Sequence, residues 1–175
     1  QNILIISHYF WPENFRINEL AEELSKNDYK IHVLTGYPNY PNGSIYKNFK
    51  ENKAAYSTFK NIIIHRVPII PRGASRLMLL ANYISFVISA SIIGFFKIGK
   101  FKPDLIFVYE PSPISVGIPA IFLSKVMKAP IVFWVLDLWP DTLRAVGIIK
   151  SKILLRLTSY FVKFGTPLFI LPLIL

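Results

Sequence analysis

The sequence predicts an α/β fold in which a doubly wound parallel sheet carries helices on both faces. Short, continuous apolar runs at Asn2–Ser7, 105–109 and 131–136 have the composition of strands that are buried on both sides. Longer segments with apolar residues at helical spacing separate these runs. Strands that alternate with helices indicate parallel pairing within a single domain, which suits a chain of 175 residues.

The first 34 residues form one predicted strand, helix and strand unit. After the strand at 2–7 and a loop at 8–15, apolar residues recur at helical spacing, and 30–34 supplies the second strand. The crossover between these parallel strands should be right-handed. The first loop contains no glycine, so we do not expect it to hold the pyrophosphate of a dinucleotide cofactor.

Residues 35–60 form a long predicted connection before the next strand at 61–70. Loops of this length are usually functional or disordered, and five aromatic residues argue for an ordered loop that faces substrate: Tyr37, Tyr40, Tyr46, Phe49 and Tyr56. Near the end of the following strand, Arg66 and Arg72 could bind phosphate or could simply be solvated.

Residues 77–96 form a twenty-residue stretch without a charge, which is long enough to span a bilayer. A spanning helix would separate two halves of one sheet, so we expect a helix that packs on the sheet and turns an outer face to the membrane interface. A polar stripe at 82, 85 and 89 favours this interpretation, and Arg76, Lys97 and Lys100 would meet lipid phosphates. The alternative is an ordinary core helix.

Composition narrows the classes of partner. Twenty Lys and Arg against ten Asp and Glu give a net charge of +10, but no dense basic run or recognition motif indicates nucleic acid. A basic, apolar chain is typical of contact with an anionic membrane. The absence of cysteine excludes thiolate metal sites, and the three scattered histidines predict no metal site either. Without a basic segment before the first strand, we expect a cytoplasmic protein on the inner face of the plasma membrane.

Carboxylates follow two predicted strands at their carboxyl ends. The run at 131–136 opens into Asp137, Trp139 and Asp141, and Glu110 follows the run at 105–109. In an open parallel sheet these ends form the ligand crevice, so we expect chemistry there. The alternative is that Asp137 or Asp141 caps the next helix. Further helices are predicted at 116–127 and 151–163, followed by an atypical apolar tail at 164–175.

Four motifs together carry a family resemblance. They are the segment at 3–13 ending in His-Tyr-Phe-Trp-Pro-Glu, Leu-Thr-Gly-Tyr-Pro-Asn-Tyr-Pro-Asn-Gly at 34–43, Lys-Pro-Asp-Leu-Ile at 102–106 and Asp-Leu-Trp-Pro-Asp at 137–141. The order resembles family 4 glycosyltransferases, within the branch that builds bacterial capsule, O-antigen and colanic-acid polysaccharides and includes fucosaminyltransferase-like members. The resemblance covers residues 2–163.

The resemblance implies a GT-B enzyme with two Rossmann-like domains. Such an enzyme moves a sugar from a nucleotide-sugar to a lipid-linked or polysaccharide acceptor with retention of configuration, using no metal and no cofactor. Residues 1–163 correspond to the N-terminal, acceptor-side domain, and the C-terminal donor-binding domain has no counterpart in the sequence. We therefore expect the isolated chain to be inactive. The alternatives are a membrane-docking subunit that partners a separate donor-binding chain, and an inactive truncated fragment.

The predicted site residues follow from the charges that a sugar transfer develops. A departing diphosphate needs positive groups, while carboxylates serve the sugar and the acceptor hydroxyl. The catalytic candidates are Asp137 and Glu110. The substrate-binding candidates are Glu13, Asn14, Arg16, Tyr37, Asn39, Tyr40, Trp139 and Asp141.

Overall fold

The computed structural model describes residues 1–111 and 114–136, and the backbone of 168–171. Within these residues, seven strands form one sheet in the order β3-β4-β2-β1-β5-β6-β7. The strands are β1 Asn2–Ser7, β2 Lys30–Gly36, β3 Thr58–Phe59, β4 Ile62–Val67, β5 Leu105–Glu110, β6 Ile131–Val135 and β7 Leu168–Leu171. All neighbouring pairs are parallel except β3 with β4, which confirms the predicted α/β fold.

The helices lie between the strands, and the sequence predicts all of them except the short one at 47–51. They are α1 Arg16–Lys26, α2 Lys47–Glu51, α3 Arg76–Ile98 and α4 Gly117–Met127, with short 3-10 turns at Ala54–Tyr56 and Ile114–Val116. From β1, the chain first builds the sheet outward through β2 and β4, and then returns to add β5 and β6 on the other side of β1. The order therefore reverses between β1 and β5, which is where such sheets bind ligands.

Alternate residues of the central strands supply two hydrophobic cores. Ile3 and Ile5 of β1 pack with α1 on one face, while Leu4 and Ile6 pack with α3 and α4 on the other. This is the period-two alternation of a sheet that is covered on both sides. The carboxyl edge of the sheet thus lies between two layers of helices.

The long helix α3 packs against the sheet along one narrow face. Its buried residues recur every fourth position, at Asn82, Phe86, Ala90, Gly94 and Ile98. A Cβ on Gly94 would lie 2.8 Å from a Leu34 side-chain carbon, so the lack of a side chain at this position helps the helix approach β2 closely. The prediction of a helix packed on the sheet is therefore confirmed.

The polar stripe of α3 faces the protein. The Asn82 side chain donates to the Ile70 carbonyl at 2.6 Å, and the Ser85 hydroxyl accepts from the Ile70 amide at 2.9 Å. By length and composition α3 could cross a membrane, with only 22% of its most apolar window buried. Asn82 is fully buried, whereas the exposed side of the helix carries leucine, isoleucine and phenylalanine.

Three segments differ from the sequence predictions. The connection at 35–60 contains α2, a 3-10 turn and β3. The following strand is shorter than predicted, because it ends at Val67 before Pro68. The apolar tail contributes β7, which pairs in parallel with β6. The predicted helix at 151–163 lies outside the described residues.

Candidate functional site at the carboxyl edge of the sheet

The ends of β1 and β5 meet at the point where the strand order reverses. Ser7, the last residue of β1, is paired in register with Tyr109 of β5. The loop after β1 therefore lies beside the end of β5, and α1 begins just beyond it. Several of the site residues that were predicted from the sequence lie at this edge.

Glu110 is fully buried at the end of β5. It is opposite Val135 of β6, and its carbonyl accepts a hydrogen bond of 3.2 Å from the Leu136 amide. The predicted catalytic residue is thus adjacent to the strand end from which residues 137–141 continue. Asp137, Trp139 and Asp141 lie outside the described residues, so their roles stay predictions.

Arg16 is the exposed first residue of α1 and acts electrostatically on Tyr109. Burial raises the pKa of the Tyr109 hydroxyl, and the positive charge of Arg16 partly opposes that rise. The Tyr109 ring also lies edge-on to Trp134 of β6, with centroids 5.1 Å apart. Arg16 therefore begins α1 as an exposed positive charge that acts on the end of β5, and the exposed Asn14 precedes it.

Glu13 is buried and joins the loops that follow β1 and β2. Its carboxylate accepts hydrogen bonds from the amides of Asn39 at 2.8 Å, Tyr40 at 2.7 Å and Phe10 at 3.3 Å. Burial raises the pKa of Glu13 to about 7, although these amides and the Arg66 charge oppose the rise. The sequence predicted a substrate contact here, whereas the structure places Glu13 beneath the surface as a link between loops.

Asn39 is also fully buried, and each of its polar groups is used within the protein. Its side-chain amide donates to the Tyr37 carbonyl at 3.1 Å, and its side-chain oxygen accepts from the Arg72 amide at 2.9 Å. Asn39 therefore fixes the loop after β2 to the loop that precedes α3. A direct contact of Glu13 or Asn39 with substrate stays a prediction.

The two predicted tyrosines occupy different surroundings. Tyr40 packs against Tyr9 and Phe15, with ring centroids 5.5 and 5.2 Å away. Tyr37 instead packs against Phe49 at 4.8 Å, with the Lys53 ammonium 5.3 Å from its ring centre. Tyr40 thus belongs to an aromatic wall at the end of β1, while Tyr37 helps anchor α2.

Arg66 is structural, which excludes both of the roles considered from the sequence. It is buried and donates to the carbonyls of Gly36 at 3.1 Å, Tyr56 at 3.0 Å and Trp11. Burial lowers its pKa to about 10, against the opposing effect of Glu13. Because its partners come from three separate segments, no local sequence pattern could have identified this role.

Arg72 is half-buried and lies among aromatic residues at the same edge. Its guanidinium carbon is 5.4 Å from the centre of the Tyr40 ring, and its charge acts on the hydroxyls of Tyr9 and Tyr83. Within 1–111 and 114–136, Arg72 takes part in none of the ion pairs. Its charge is therefore not neutralised by a carboxylate in this part of the chain.

His8 adds no charge to this cluster, because it is neutral. Burial lowers the pKa of its imidazole to about 3, the nearby Asn82 side chain opposes that effect, and Arg72 adds to it. Its ring lies 5.6 Å from that of Tyr83, edge to face. No sequence signal linked His8, Tyr9, Tyr83 and Arg72, although two of these residues directly follow β1.

An apolar groove lies between the first half of α3 and the start of α4. It has a volume of about 440 Å³, and we call it the α3/α4 groove. It is lined by Arg76, Leu79, Leu80, Tyr83, Ile84, Val87, Ile88, Ile114, Ser115 and Ile118. Both helices follow strand ends at the carboxyl edge, and Tyr83 belongs to the groove as well as to the Arg72 cluster. The α3/α4 groove therefore lies beside the candidate site at the carboxyl edge of the sheet.

The outer surfaces of α3 and α4 expose large apolar side chains. On α3 these are Leu77 at 79%, Met78 at 39%, Leu80 at 53%, Ile84 at 50%, Ile88 at 54%, Ile92 at 57% and Phe96 at 74% exposure. Ile118, Phe122 and Val126 continue the surface on α4. The predicted membrane-contact residues Arg76, Lys97 and Lys100 are exposed at the two ends of α3.

No group of three or more metal-ligating side chains occurs among the described residues. Two histidines on neighbouring strands lie close together, with Nδ1 of His32 2.9 Å from Nε2 of His65. Phe101 stacks on His32 with ring centroids 3.6 Å apart. Two imidazoles that bond to each other under an aromatic ring are a core contact.

Comparison with known proteins supports the fold. No protein-family model and no curated protein matches the chain. Among solved structures, the chain is similar to CalG4, the calicheamicin glycosyltransferase, with 14% identity and a TM-score of 0.50 over 95% of this chain and 43% of CalG4. This chain has a glycosyltransferase-like Rossmann fold.

The chain spans less than half the length of CalG4. A second similar structure is the C-terminal domain of the PF1911 hydrogenase from Pyrococcus furiosus, with 17% identity and a TM-score of 0.48 over 75% of this chain and 89% of that one. At such identities the likeness concerns the fold alone.

Proposed function

We propose that this chain is the acceptor-side domain of a retaining glycosyltransferase. The enzyme would move a sugar from a nucleotide-sugar to a lipid-linked or polysaccharide acceptor in the synthesis of bacterial capsule or O-antigen. The observation that carries the proposal is the position of Glu110 at the end of β5 and of Arg16 at the start of α1, both at the edge where the strand order reverses between β1 and β5. No metal or cofactor is needed in this scheme.

The charged residues at this edge would have different roles in the sugar transfer. The transfer expels a diphosphate, and the exposed Arg16 at the start of α1 supplies a positive charge where that group would lie. Asp137 would orient the acceptor hydroxyl and take up its proton, and Glu110, which is buried at the neighbouring strand end, is the second catalytic candidate. The donor would be held by a C-terminal domain or a separate subunit that faces this edge.

The same proposal places the protein on the inner face of the plasma membrane. The exposed apolar residues of α3 and α4 would enter the interface, and Arg76, Lys97 and Lys100 would meet the phosphates of anionic lipids. A lipid-linked acceptor is held in the membrane, so an enzyme bound to the membrane encounters its acceptor by diffusion within the membrane plane.

One observation favours a second candidate function. The apolar outer surface of α3 and α4 exceeds what a soluble Rossmann domain needs, so the chain could be a non-catalytic subunit that docks a donor-binding chain on the membrane. In that case the surface would matter, but the carboxylates at the sheet edge would not.

Analysis of lipid-linked saccharides in the source cells tests both candidates. We expect cells that lack the chain to accumulate a lipid-linked saccharide one sugar shorter than the product, as measured by mass spectrometry of lipid extracts. Complementation with the wild type should restore the product, while the isosteric variant Glu110→Gln should not. An unchanged saccharide profile in the deletion strain would refute the glycosyltransferase proposal. Full restoration by Glu110→Gln would favour the docking subunit.

A further inference from the structure

A polar pocket of about 330 Å³ lies in the long connection between β2 and β3. Its lining includes Asn42, Ser44, Asn48, Tyr46 and Tyr56, and we call it the α2 pocket, because α2 forms part of its wall. The volume is within the range of roughly 300 to 1,000 Å³ of small-molecule sites. The α2 pocket belongs to the aromatic loop that the sequence predicts to face substrate.

Hydrogen bonds within the protein fix both walls of the α2 pocket. The Tyr46 amide donates to the Pro38 carbonyl at 3.1 Å, and the Tyr46 hydroxyl donates to the Tyr40 carbonyl. On the other wall, the Tyr56 carbonyl accepts a hydrogen bond of 3.0 Å from Nε of Arg66. Because these contacts hold the pocket in shape before a ligand arrives, binding requires little ordering of the loop.

The polar groups that the α2 pocket offers to a ligand are mostly neutral. Asn42, Ser44 and Asn48 are exposed, and within 1–111 and 114–136 their side chains form no hydrogen bond with another residue. Their two carboxamides and one hydroxyl can both donate and accept hydrogen bonds. Lys47 is the charged residue of the lining, and its ammonium lies 3.8 Å from the Glu51 carboxylate. The pocket therefore suits a ligand with many hydroxyl groups better than a phosphate, which is typically bound by arginine.

Aromatic rings continue from the α2 pocket to the loop after β1. The rings of Tyr56 and Trp11 have centroids 5.4 Å apart, and Phe59 stacks on Trp11 at 5.3 Å. All three residues are partly exposed, so their rings present flat apolar faces on which the C–H faces of sugars can pack. This surface leads from the pocket towards the start of α1.

We infer that the α2 pocket is a secondary saccharide site, which binds a neutral part of a glycan away from the sugar that reacts. Tyr56 lies just before β3, and β3 is four strand spacings of about 4.8 Å from β5, or roughly 19 Å. One sugar therefore cannot fill the pocket and also reach Glu110. The inference rests on the proposed function for the origin of the glycan, and it adds a recognition site that the transfer itself does not require.

Amide chemical shifts of the purified chain, measured by NMR during a titration, test the α2 pocket directly. The probe is the neutral fraction of the oligosaccharides that partial hydrolysis releases from the surface polysaccharide of the source cells. The largest shifts should fall within 42–48 and at Tyr56. The comparison ligand is uridine monophosphate, which should leave these amides unshifted because the pocket provides no unpaired cation for its phosphate.

Asparagine variants separate the pocket from the rest of the surface. Asn42→Ala combined with Asn48→Ala removes two carboxamides from the lining and breaks no side-chain hydrogen bond within 1–111 and 114–136, so the fold should be retained. Asn61→Ala makes the same kind of change at an exposed asparagine outside the pocket. We expect the affinity for the saccharide to fall roughly 10-fold or more in the double variant and to stay unchanged in Asn61→Ala.

Each alternative result would overturn the inference. Wild-type affinity in the double variant, or an equal loss in Asn61→Ala, would show that the pocket does not recognise the saccharide. Shifts confined to Ser7 and Tyr109 would place all saccharide binding at the ends of β1 and β5. Larger shifts within 42–48 with uridine monophosphate would show a nucleotide site. If these amides do not respond while the saccharide profile of the deletion strain still changes, the inference is wrong and the proposed glycosyltransferase stands.

Discussion

The two faces of the sheet are covered by helices of opposite character. On one face, α1 buries Ile17 and Ala21 and turns charged residues outward, with Lys26 paired to Glu22 at 3.2 Å and to Glu23 at 3.4 Å. On the other face, α3 buries its polar residue Asn82 and turns leucine, isoleucine and phenylalanine outward. Both helices cover the same strands, so packing on the sheet cannot explain the difference.

This difference supports our proposal that the two faces of the sheet have different functions. The α1 face has the polar exterior expected where a domain meets water. The α3/α4 face has an apolar exterior with exposed cations at its ends, which supports our proposal that it contacts a membrane interface. The carboxyl edge, with Arg16, Arg72 and Glu110, lies between the faces and is where we place the chemistry.

The largest expected effect concerns Glu13, which fixes the edge shared by both faces. Glu13→Ala removes the acceptor of three backbone amides, and each buried group left unpaired costs about 1 to 3 kcal/mol. We expect a loss of about 3 kcal/mol in the free energy of unfolding, measured by urea denaturation. Glu13→Gln retains the shape and should lose much less. A similar small loss in both variants would contradict the linking role.

The same carboxylate predicts a dependence of stability on pH. Because the pKa of Glu13 is about 7 in the folded chain, above its ordinary value of 4.5, the folded state holds this proton more tightly than the unfolded state. Its contribution to stability is therefore full below pH 4.5 and falls as the pH rises to about 7. The difference between wild type and Glu13→Gln in urea should change between about pH 5 and about pH 8. A constant difference would show that Glu13 does not titrate in this window.

The next effect concerns the outer surface of α3. Ile88→Glu combined with Ile92→Glu places two carboxylates on the surface that we expect to enter the lipid interface. Since a fully buried isoleucine contributes about 1.5 to 3 kcal/mol, the affinity for anionic vesicles should fall by about 2 kcal/mol or more in a co-sedimentation assay. The matched variant on the other face, Glu19→Gln with Glu23→Gln, should bind as the wild type does. Equal effects of the two variants would remove the distinction between the faces.

A smaller effect should come from the cations at the end of α3. Each basic residue near an anionic surface contributes about 1 kcal/mol, so Lys97→Glu with Lys100→Glu should weaken vesicle binding and make it less sensitive to salt. Titration with vesicles at low and high salt measures both quantities. Binding that is independent of salt and unchanged by the two substitutions would contradict an electrostatic contribution.

The sequence predicted most of the fold, because its signals were local. Continuous apolar runs located β1, β5 and β6, and the helical spacing of apolar residues located α1 and α4. The polar residues of α3 were also visible, but a stripe alone does not show which side of the helix faces the sheet. The orientation of the helix depends on Ile70, in a separate loop, whose backbone forms hydrogen bonds with Asn82 and Ser85.

The candidate site was only partly predictable for the same reason. The rule that ligands bind at the carboxyl ends of strands selected Glu110, which lies at the end of β5, and its catalytic role stays a prediction. It could not reveal that Glu13 and Arg66 are buried, since their partners lie in loops that are distant in sequence. The Arg72 cluster likewise forms only when the loop before α3 meets the end of β1.

Fluorescent labels on the two faces test the central claim most directly. The chain contains no cysteine, so Ile92→Cys on α3 and Glu19→Cys on α1 can each carry a single environment-sensitive fluorophore. With vesicles that contain anionic and brominated lipids, we predict a blue shift and strong quenching for the label at position 92. The label at position 19 should be unaffected. Equal responses at both positions, or a response at position 19 alone, would contradict the assignment of the α3/α4 face to the membrane.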